Sequence, residues 1–372
     1  MSNATASTST EAANTAPEPL IIARRSGAIT RITLNRPRAI NALNREMFLA
    51  LETAVGEADG SAILLDGAGE RGFCGGGDIK ELAASGTGAR DILAIEYRVD
   101  HMIGVSRTPV VGFMDGVTMG GGIGLTGHAQ HRVVTERSRL AMPEVRIGIV
   151  PDVGGHLLLA RAPGRLGELL AVTSGEMAAG DAIALGFADY FVPAERLGAL
   201  AAALEAGEEP GAACARFSEP APASAVAAAR TWWDPIAEAA LADVEAQPRE
   251  AALRLLAGLD AAAAAGGEGA ADAAATAETV RGMCPVSVAV TLAQISRTRR
   301  ASLDLRAVLE DDLRVLGRLS VRPDFAEGVR AQVIDKDRDP RWRPTSIEVI
   351  DEAELARVLD PMPLVDEPPI GL

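Results

Sequence analysis

Residues 109–135, PVVGFMDGVTMGGGIGLTGHAQHRVVT, contain the sequence pattern that best indicates the fold class. Residues 109–114 are a short apolar run of the kind that forms a buried strand, and residues 131–135 are a second such run. Between them, residues 119–128 predict a helix that is opened by glycines. A strand, a helix and another strand in so short a stretch indicate an α/β fold.

The same order of elements recurs towards the N-terminus. Residues 28–34 and 61–66 are compact strand-like runs. Residues 42–55, which lie between them, place apolar side chains three and four positions apart, as an amphipathic helix does. Residues 89–105 predict a further helix. We therefore predict an α/β core that spans residues 19–205.

Strand signals end at about Arg196, and Ala-rich stretches replace them. The remainder, residues 206–372, is predicted to be mainly helical, with helices at 285–296, 302–318 and 325–333. Residues 261–275 are of low complexity, and their alanines favour a helix while their glycines weaken it, so a helix and a mobile connection are both compatible with them. Residues 1–18, rich in Ser, Thr, Ala and Asn, are predicted to be a disordered leader.

Charge and cysteine content narrow the function classes. The chain has 372 residues and a formal net charge of −15, and Lys80 and Lys336 are its only lysines. Nucleic acid and anionic membranes bind clustered positive charge, so we expect neither as a partner. No run approaches the roughly 18 apolar residues of a membrane span. Three isolated cysteines fit a reducing compartment, and a leader without arginine favours the bacterial cytoplasm, with the mitochondrial matrix as the alternative.

Residues 67–72, GAGERG, match the GxGxxG fingerprint of dinucleotide-binding folds. That fingerprint should open a helix, but three more glycines follow almost at once, so we interpret the match as a glycine-rich turn. The sequence has no phosphate loop, no GxSxG elbow and no HExxH motif, and its four histidines are scattered. Neither a metal site nor a nucleophilic triad is predicted.

Two glycine-rich loops remain, FCGGGDI at residues 73–79 and MGGGIG at residues 119–124. Glycine lets backbone N–H groups approach a ligand closely, and the second loop also lies where a helix is predicted to begin. Two such loops can together bind the oxyanion that develops on a carbonyl oxygen. Each loop taken alone favours a tight turn over a binding loop.

Two acids follow these loops within the segment 141–155, AMPEVRIGIVPDVGG. Glu144 and Asp152 lie among apolar residues, a setting in which a carboxyl group loses solvent and becomes useful as a base or nucleophile. The alternative is that each is a surface acid or a helix cap, and Asp152 in particular could cap a helix that begins near Gly154.

Five segments together resemble the enoyl-CoA hydratase/isomerase (crotonase) superfamily, and most of all its 3-hydroxyisobutyryl-CoA hydrolase branch. They are ITLNRPRAINALN (32–44), GFCGGGDIKEL (72–82), GVTMGGGIGLTGHAQHRVVTE (116–136), AMPEVRIGIVPDVGG (141–155) and DFAEGVRAQVIDKDRDPRWRP (324–344). The resemblance runs from about Ile21 to Pro344. It implies an α/β fold with a crotonase ββα spiral core and a helical C-terminal part.

The resemblance also implies site residues. The N–H groups of Gly75 and Gly121 would form the oxyanion hole, with Glu144 and Asp152 as the catalytic acids. Substrate binding would involve Glu96, Gly121, Glu144 and Asp152. The residues implied near CoA are Arg36, Arg38, Ala39, Gly76, Gly77, Asp78 and Ile79, and Lys80 is a further candidate for the phosphates.

The expected function is hydrolysis of a short branched 3-hydroxyacyl-CoA, most of all 3-hydroxyisobutyryl-CoA in valine catabolism. Hydratases of the superfamily carry a second glutamate where this chain has Gly124, so hydratase or isomerase activity is the second choice. A catalytically silent CoA-binding protein is the third. The expected partner is the acyl-CoA substrate, without a cofactor because CoA belongs to the substrate, and a homo-oligomer is left open.

Overall fold

The computed structural model describes residues 18–365 and 367–372, so almost all of the predicted leader lies outside the described residues. Within these described residues, nine strands form two sheets. The strands are β1 (Ile21–Ser26), β2 (Ile29–Leu34), β3 (Ile63–Gly67), β4 (Val110–Met114), β5 (Val117–Met119), β6 (His131–Val134), β7 (Arg139–Ala141), β8 (Glu176–Met177) and β9 (Tyr190–Phe191).

The larger sheet has the order β1-β2-β3-β4-β6-β9, and all of its neighbours are parallel except β1 and β2. The smaller sheet has the order β5-β7-β8. Every residue of β4 is buried, as expected for a central parallel strand that is covered on both faces. Repetition of strand, strand and helix confirms the predicted spiral core.

Eight helices lie within or directly after this core. They are α1 (Arg45–Gly56), α2 (Ile79–Ala84), α3 (Ala89–Gly104), α4 (Gly121–Gly127), α5 (Gly155–Arg161), α6 (Leu166–Thr173), α7 (Ala179–Ala184) and α8 (Leu197–Glu205). The Asn44 side chain caps α1 by accepting the Met47 N–H at 3.0 Å. Helices α1 and α3 pack their apolar faces together, and α3 also packs against α4.

Residues 206–372 are mainly helical, as predicted. The helices are α9 (Pro210–Phe217), α10 (Arg230–Ala240), α11 (Pro248–Ala265), α12 (Ala270–Gly282), α13 (Pro285–Ala301), α14 (Leu305–Ser320), α15 (Pro323–Val329) and α16 (Glu352–Leu359). The low-complexity stretch is mostly helical, because the break is confined to the four residues between α11 and α12. Gly266 and Gly269, with φ values of +73° and +79°, make that break.

Candidate active site

Helix α4 begins at the second glycine loop. Gly120 precedes it with φ +46° and ψ −117°, a conformation that side-chain-bearing residues rarely adopt. As the first residue of α4, Gly121 has no intrahelical acceptor for its N–H. That N–H therefore remains available to a ligand.

The first glycine loop is held by Asn41, which is fully buried. Its amide donates to the carbonyl groups of Phe73 at 2.9 Å and Ala68 at 3.1 Å. The loop backbone is also fixed at Gly75, whose N–H donates to the Ile40 carbonyl at 2.7 Å. This bond corrects one expected role, because the Gly75 N–H is already engaged and cannot also bind an oxyanion.

Gly77 replaces Gly75 as the candidate donor from this loop. Among the hydrogen bonds of the described residues, none uses the N–H of Gly77 or of Gly121. The two groups are close, since a Cβ on residue 121 would lie 3.4 Å from the Gly77 nitrogen. Sequence reasoning placed Gly77 near CoA but missed this role, because a run of three glycines does not reveal which N–H is left free.

Glu144 lies opposite these donors at the start of a 3₁₀ turn, Glu144–Ile147. Its side chain is buried, and its Oε2 atom has no hydrogen-bond partner in the described part of the chain. A Cβ on residue 120 would lie 3.0 Å from Glu144 Oε1, so the carboxyl approaches the glycine loop directly. Burial, and then the charge of Asp152, raises the pKa of Glu144 well above its ordinary value.

Asp152 is buried beside Glu144 and does not cap a helix. The residue before α5 is Gly154, and no side chain caps that helix. Instead the Tyr97 hydroxyl donates to Asp152 Oδ2 at 2.6 Å. Burial and the charge of Asp312 raise the pKa of Asp152 to about 7, although the Tyr97 hydrogen bond opposes the shift. Asp152 therefore titrates near neutral pH.

Glu96 on α3 is the third buried acid. A Cβ on residue 121 would lie 2.5 Å from Glu96 Oε1, so only glycine at 121 leaves room for this carboxyl. Burial, and then the charge of Asp152, raises the pKa of Glu96 well above its ordinary value. Glu96, Glu144 and Asp152 thus converge from one helix and one loop segment on the free N–H groups of the glycine loops.

These groups open onto a cavity of about 490 Å³. Of the residues expected at the site, the cavity is lined by Arg36, Ala39, Gly75, Gly76, Gly77, Asp78, Ile79, Lys80, Glu96, Gly121, Glu144 and Asp152. Arg38 is not among the lining residues, and its carbonyl instead accepts a hydrogen bond from Arg71. Arg36 is partly neutralised, because its Nη1 atom lies 2.8 Å from Asp78 Oδ2.

The C-terminal region supplies lining residues that were not predicted. They are Leu316 of α14 and the pair Gln332 and Val333, which lie in a short π-helical turn, Arg330–Ile334. Arg146 also lines the cavity. Residues 325–333 were predicted to be helical, but no local pattern shows that this part of the chain covers the cavity.

Helix α14 also holds the loop that carries Asp152. Asp312 Oδ2 accepts the Gly154 N–H at 2.9 Å, and Asp312 Oδ1 lies 2.8 Å from His156 Nε2. Burial lowers the pKa of His156, but Asp312 outweighs it, so the net pKa is raised. The other ring nitrogen of His156 lies 2.9 Å from the Thr298 hydroxyl of α13.

Comparisons with known proteins identify the family. The enoyl-CoA hydratase/isomerase sequence profile matches residues 29–359. The chain is 33% identical to a Gallus gallus protein named 3-hydroxyisobutyryl-CoA hydrolase, mitochondrial, over 92% of this chain and 89% of the other. It is 34% identical to the Rattus norvegicus protein of that name, over 90% and 87% respectively.

Two solved structures are similar over nearly the whole chain. A carnitinyl-CoA dehydratase from Mycobacterium thermoresistibile has a TM-score of 0.84 and 34% identity, covering 94% of this chain and 98% of the other. An enoyl-CoA hydratase from Rhodobacter sphaeroides 2.4.1 has a TM-score of 0.80 and 38% identity, covering 92% and 98%. The chain belongs to the enoyl-CoA hydratase/isomerase family.

Proposed function

We propose that this protein hydrolyses the thioester of a short 3-hydroxyacyl-CoA, with 3-hydroxyisobutyryl-CoA, an intermediate of valine catabolism, as the leading substrate. The relatives named 3-hydroxyisobutyryl-CoA hydrolase extend over about nine-tenths of the chain, which supports thioester hydrolysis as the activity. The observation that carries the proposal is the position of Glu144, a buried carboxyl with a free oxygen beside two free backbone N–H groups.

The N–H groups of Gly77 and Gly121 are assigned to the thioester carbonyl oxygen. As the carbonyl carbon is attacked, negative charge moves onto that oxygen, and the two donors stabilise it. Each donor in such a hole typically contributes about 3–4 kcal/mol to the transition state. The carbonyl then re-forms and the C–S bond breaks, so that CoA leaves as a thiolate.

Glu144 starts the attack by one of two routes. In the first, its carboxylate attacks the carbonyl carbon and forms a mixed anhydride, which water then hydrolyses. In the second, Glu144 takes a proton from water, the resulting hydroxide attacks, and the proton passes to the departing thiolate. Both routes consume one water and give a carboxylic acid and CoA, and both need an ionised Glu144.

Asp152 and Glu96 are assigned to the 3-hydroxyl group of the acyl chain. Both line the cavity beside Glu144, and as carboxylates both accept hydrogen bonds. Acyl groups without the hydroxyl would leave Glu96, and the Asp152 oxygen that Tyr97 does not contact, without this hydrogen bond, which is how a polar site rejects an analogue. The site should therefore favour hydroxyacyl esters over acetyl-CoA.

The CoA part is assigned to the mouth of the cavity. Lys80, Arg36 and Arg146 line it and supply the local positive charge that an anionic ligand needs on an acidic protein. Ala39, Gly76, Asp78 and Ile79 would pack along the same part of the ligand. No resident cofactor is proposed, because thioester hydrolysis needs only water.

Hydration of an enoyl-CoA is the weaker alternative, although solved relatives carry hydratase names. Position 124 is glycine, and a Cβ there would lie 2.8 Å from Asp100 Oδ2, so the space for a second acid at 124 is already filled. A silent CoA-binding protein would not need three converging acids. A homo-oligomer and a cytoplasmic location remain predictions, and the relatives' names specify mitochondria. In the described residues no helix is long and apolar enough to cross a membrane.

Replacement of the central acid tests the proposal. Glu144→Gln keeps the size of the side chain but removes its charge, so free-thiol release from 3-hydroxyisobutyryl-CoA should fall at least about 100-fold. Glu176→Gln, an exposed glutamate paired with Arg139, is the matched control and should keep its rate. The panel includes 3-hydroxypropionyl-, acetyl- and crotonyl-CoA. Crotonyl-CoA hydration without thiol release by the unmodified protein would overturn the proposal in favour of a hydratase.

A further inference from the structure

Asp100 is a buried acid that the proposed reaction does not use. It lies on α3 four residues after Glu96, so the two side chains share one face of that helix. Its side chain is fully inaccessible, and neither carboxyl oxygen has a hydrogen-bond partner among the described residues. Most buried carboxyl groups are paired or hydrogen-bonded, so this one requires an explanation.

The two acids of α3 occupy matching places on α4. A Cβ on residue 121 would lie 2.5 Å from Glu96 Oε1, and one on residue 124 would lie 2.8 Å from Asp100 Oδ2. Two glycines three residues apart thus admit two carboxyls side by side against the first turn of α4. Glu96 lines the cavity, whereas Asp100 lies behind it and does not line the cavity.

The groups that face Asp100 offer it no positive charge. The charges that act on its carboxyl are those of Glu96 on its own helix, Asp152 of the loop before α5 and Asp312 of α14. Cys74 of the first glycine loop has a pKa of about 12, mainly through burial, and is neutral.

An ionised carboxylate in such surroundings is strongly disfavoured, and the group takes up a proton instead. One proton shared by two neighbouring acids goes to the one that is less solvated. We propose that Asp100 rests as a neutral carboxylic acid behind Glu96, and that by carrying the proton of this pair it leaves the Glu96 carboxylate free to accept a hydrogen bond from the substrate hydroxyl.

Asp100 is thus a positioning residue that acts through Glu96, and this role rests on the proposed function. Burial is the largest cause that raises the pKa of Asp100 well above its ordinary value, followed by the charge of Glu96. If the shared proton rested on Glu96 and Asp100 were charged instead, the acceptor for the hydroxyl would be lost.

The first test does not depend on activity. Because the folded state holds a proton on Asp100 that the unfolded chain loses near pH 3.8, the raised pKa makes folding stability fall as pH rises. The unfolding free energy of Asp100→Asn minus that of the unmodified protein should therefore increase between about pH 5 and pH 9. Asp100→Leu, which has no ionisable group either, should behave in the same way.

The matched control is Asp181→Asn. Asp181 is also buried, but its carboxyl accepts hydrogen bonds from the Ser224 hydroxyl and the Val226 N–H. This variant should lose stability and show no gain towards high pH. In addition, infrared spectra at neutral pH should contain a protonated-carboxyl band that Asp100→Asn lacks and Asp181→Asn keeps. A stability difference that does not vary with pH, or no loss of that band, would overturn the proposal.

The second test links Asp100 to the reaction. Asp100→Asn is neutral, as the protonated acid is, so the pH profile of kcat/KM for 3-hydroxyisobutyryl-CoA should stay in place. If Asp100 were charged in the unmodified protein, its replacement would lower the pKa of Glu96 and move the profile to lower pH, and that result would refute the proposal. If the unmodified protein released no thiol from any hydroxyacyl ester, the proposed function alone would fail, and the stability and infrared measurements would still decide the protonation state of Asp100.

Discussion

The Tyr97 hydroxyl donates a hydrogen bond to the carboxyl of Asp152, and that carboxyl has a pKa of about 7. As a carboxylate Asp152 can accept a hydrogen bond from the substrate hydroxyl, so kcat/KM for hydroxyacyl esters should rise as pH passes through about 7. Tyr97→Phe removes a hydrogen bond that lowers this pKa. The rise should then move to higher pH by about one unit.

The measurement is thiol release from 3-hydroxypropionyl-CoA across the neutral range. Tyr190→Phe is the matched control, because Tyr190 is the chain's other tyrosine and does not line the cavity. Its profile should match that of the unmodified protein. An acid limb that stays in place in Tyr97→Phe would show that Asp152 does not govern binding of the hydroxyl.

Single residues also show what the sequence can and cannot predict. The glycine loops and the acids Glu144 and Asp152 were recognisable from their motifs, Glu96 came only from the family resemblance, and the structure brings them all to one cavity. The choice between Gly75 and Gly77 was not, because it depends on a hydrogen bond to Ile40 that lies far along the chain. Asp100 was missed for the same reason, since only the packing of α3 on α4 shows that its carboxyl is unpartnered.

Among the helices, α14 links the C-terminal helical region to the loop that bears Asp152, and Asp312 makes the contact. Asp312→Ala would leave His156 buried without its charged partner and the Gly154 N–H without its acceptor. Loss of one partner of a buried pair typically costs about 3–5 kcal/mol of stability. The loop that bears Asp152 should also loosen, so kcat/KM should fall more for hydroxyacyl esters than for acetyl-CoA.

The matched control on the same helix is Asp304→Ala. Asp304 is the exposed N-cap of α14, where its side chain accepts the Ala307 N–H at 2.9 Å, so its loss should cost only about 1 kcal/mol. Thermal unfolding and the two esters measure both effects. Because the pKa of His156 is raised, the stability that His156 contributes is fully present below about pH 6.5 and is lost as pH rises through the higher folded value. Equal losses of stability and activity in Asp312→Ala and Asp304→Ala would contradict the inference that Asp312 holds the loop that bears Asp152.

Helices and strands were predictable where their periodicity was strong. Helix α3, expected at residues 89–105, spans Ala89–Gly104, and strand β4 lies within the predicted run. Helix α13 continues five residues beyond its predicted end at Ser296. Ser296 and the arginines after it are compatible with a helix, and packing against the neighbouring helices extends it. No local sequence pattern predicts that residues Arg330–Ile334 form a π-helical turn. In the structure Arg330 stabilises this turn through ion pairs with Glu327, Asp335 and Asp337.

At the scale of the whole molecule, the spiral core and the helical region share the largest of the three hydrophobic clusters found in the described residues. One continuous cluster of buried side chains includes Tyr97 and Val150 from the spiral as well as Trp233, Leu255 and Leu313 from the helical region. Elements that pack their apolar surfaces together stabilise one another, because separating them would expose apolar surface on both to water. The division at residue 205 therefore separates two patterns of sequence more than two independent folding units.

We accordingly expect one cooperative unfolding transition in urea. All three tryptophans lie in the helical region, so their fluorescence reports on that part, whereas labelling of the buried Cys74 thiol reports on the spiral core. In a protein whose other two cysteines are replaced by alanine, both signals should give the same midpoint. Fluorescence that changes at lower urea while Cys74 stays protected would show that the helical region unfolds alone. The cavity wall formed by Leu316, Gln332 and Val333 would then open without loss of the core, and access to the catalytic acids would be governed by local unfolding.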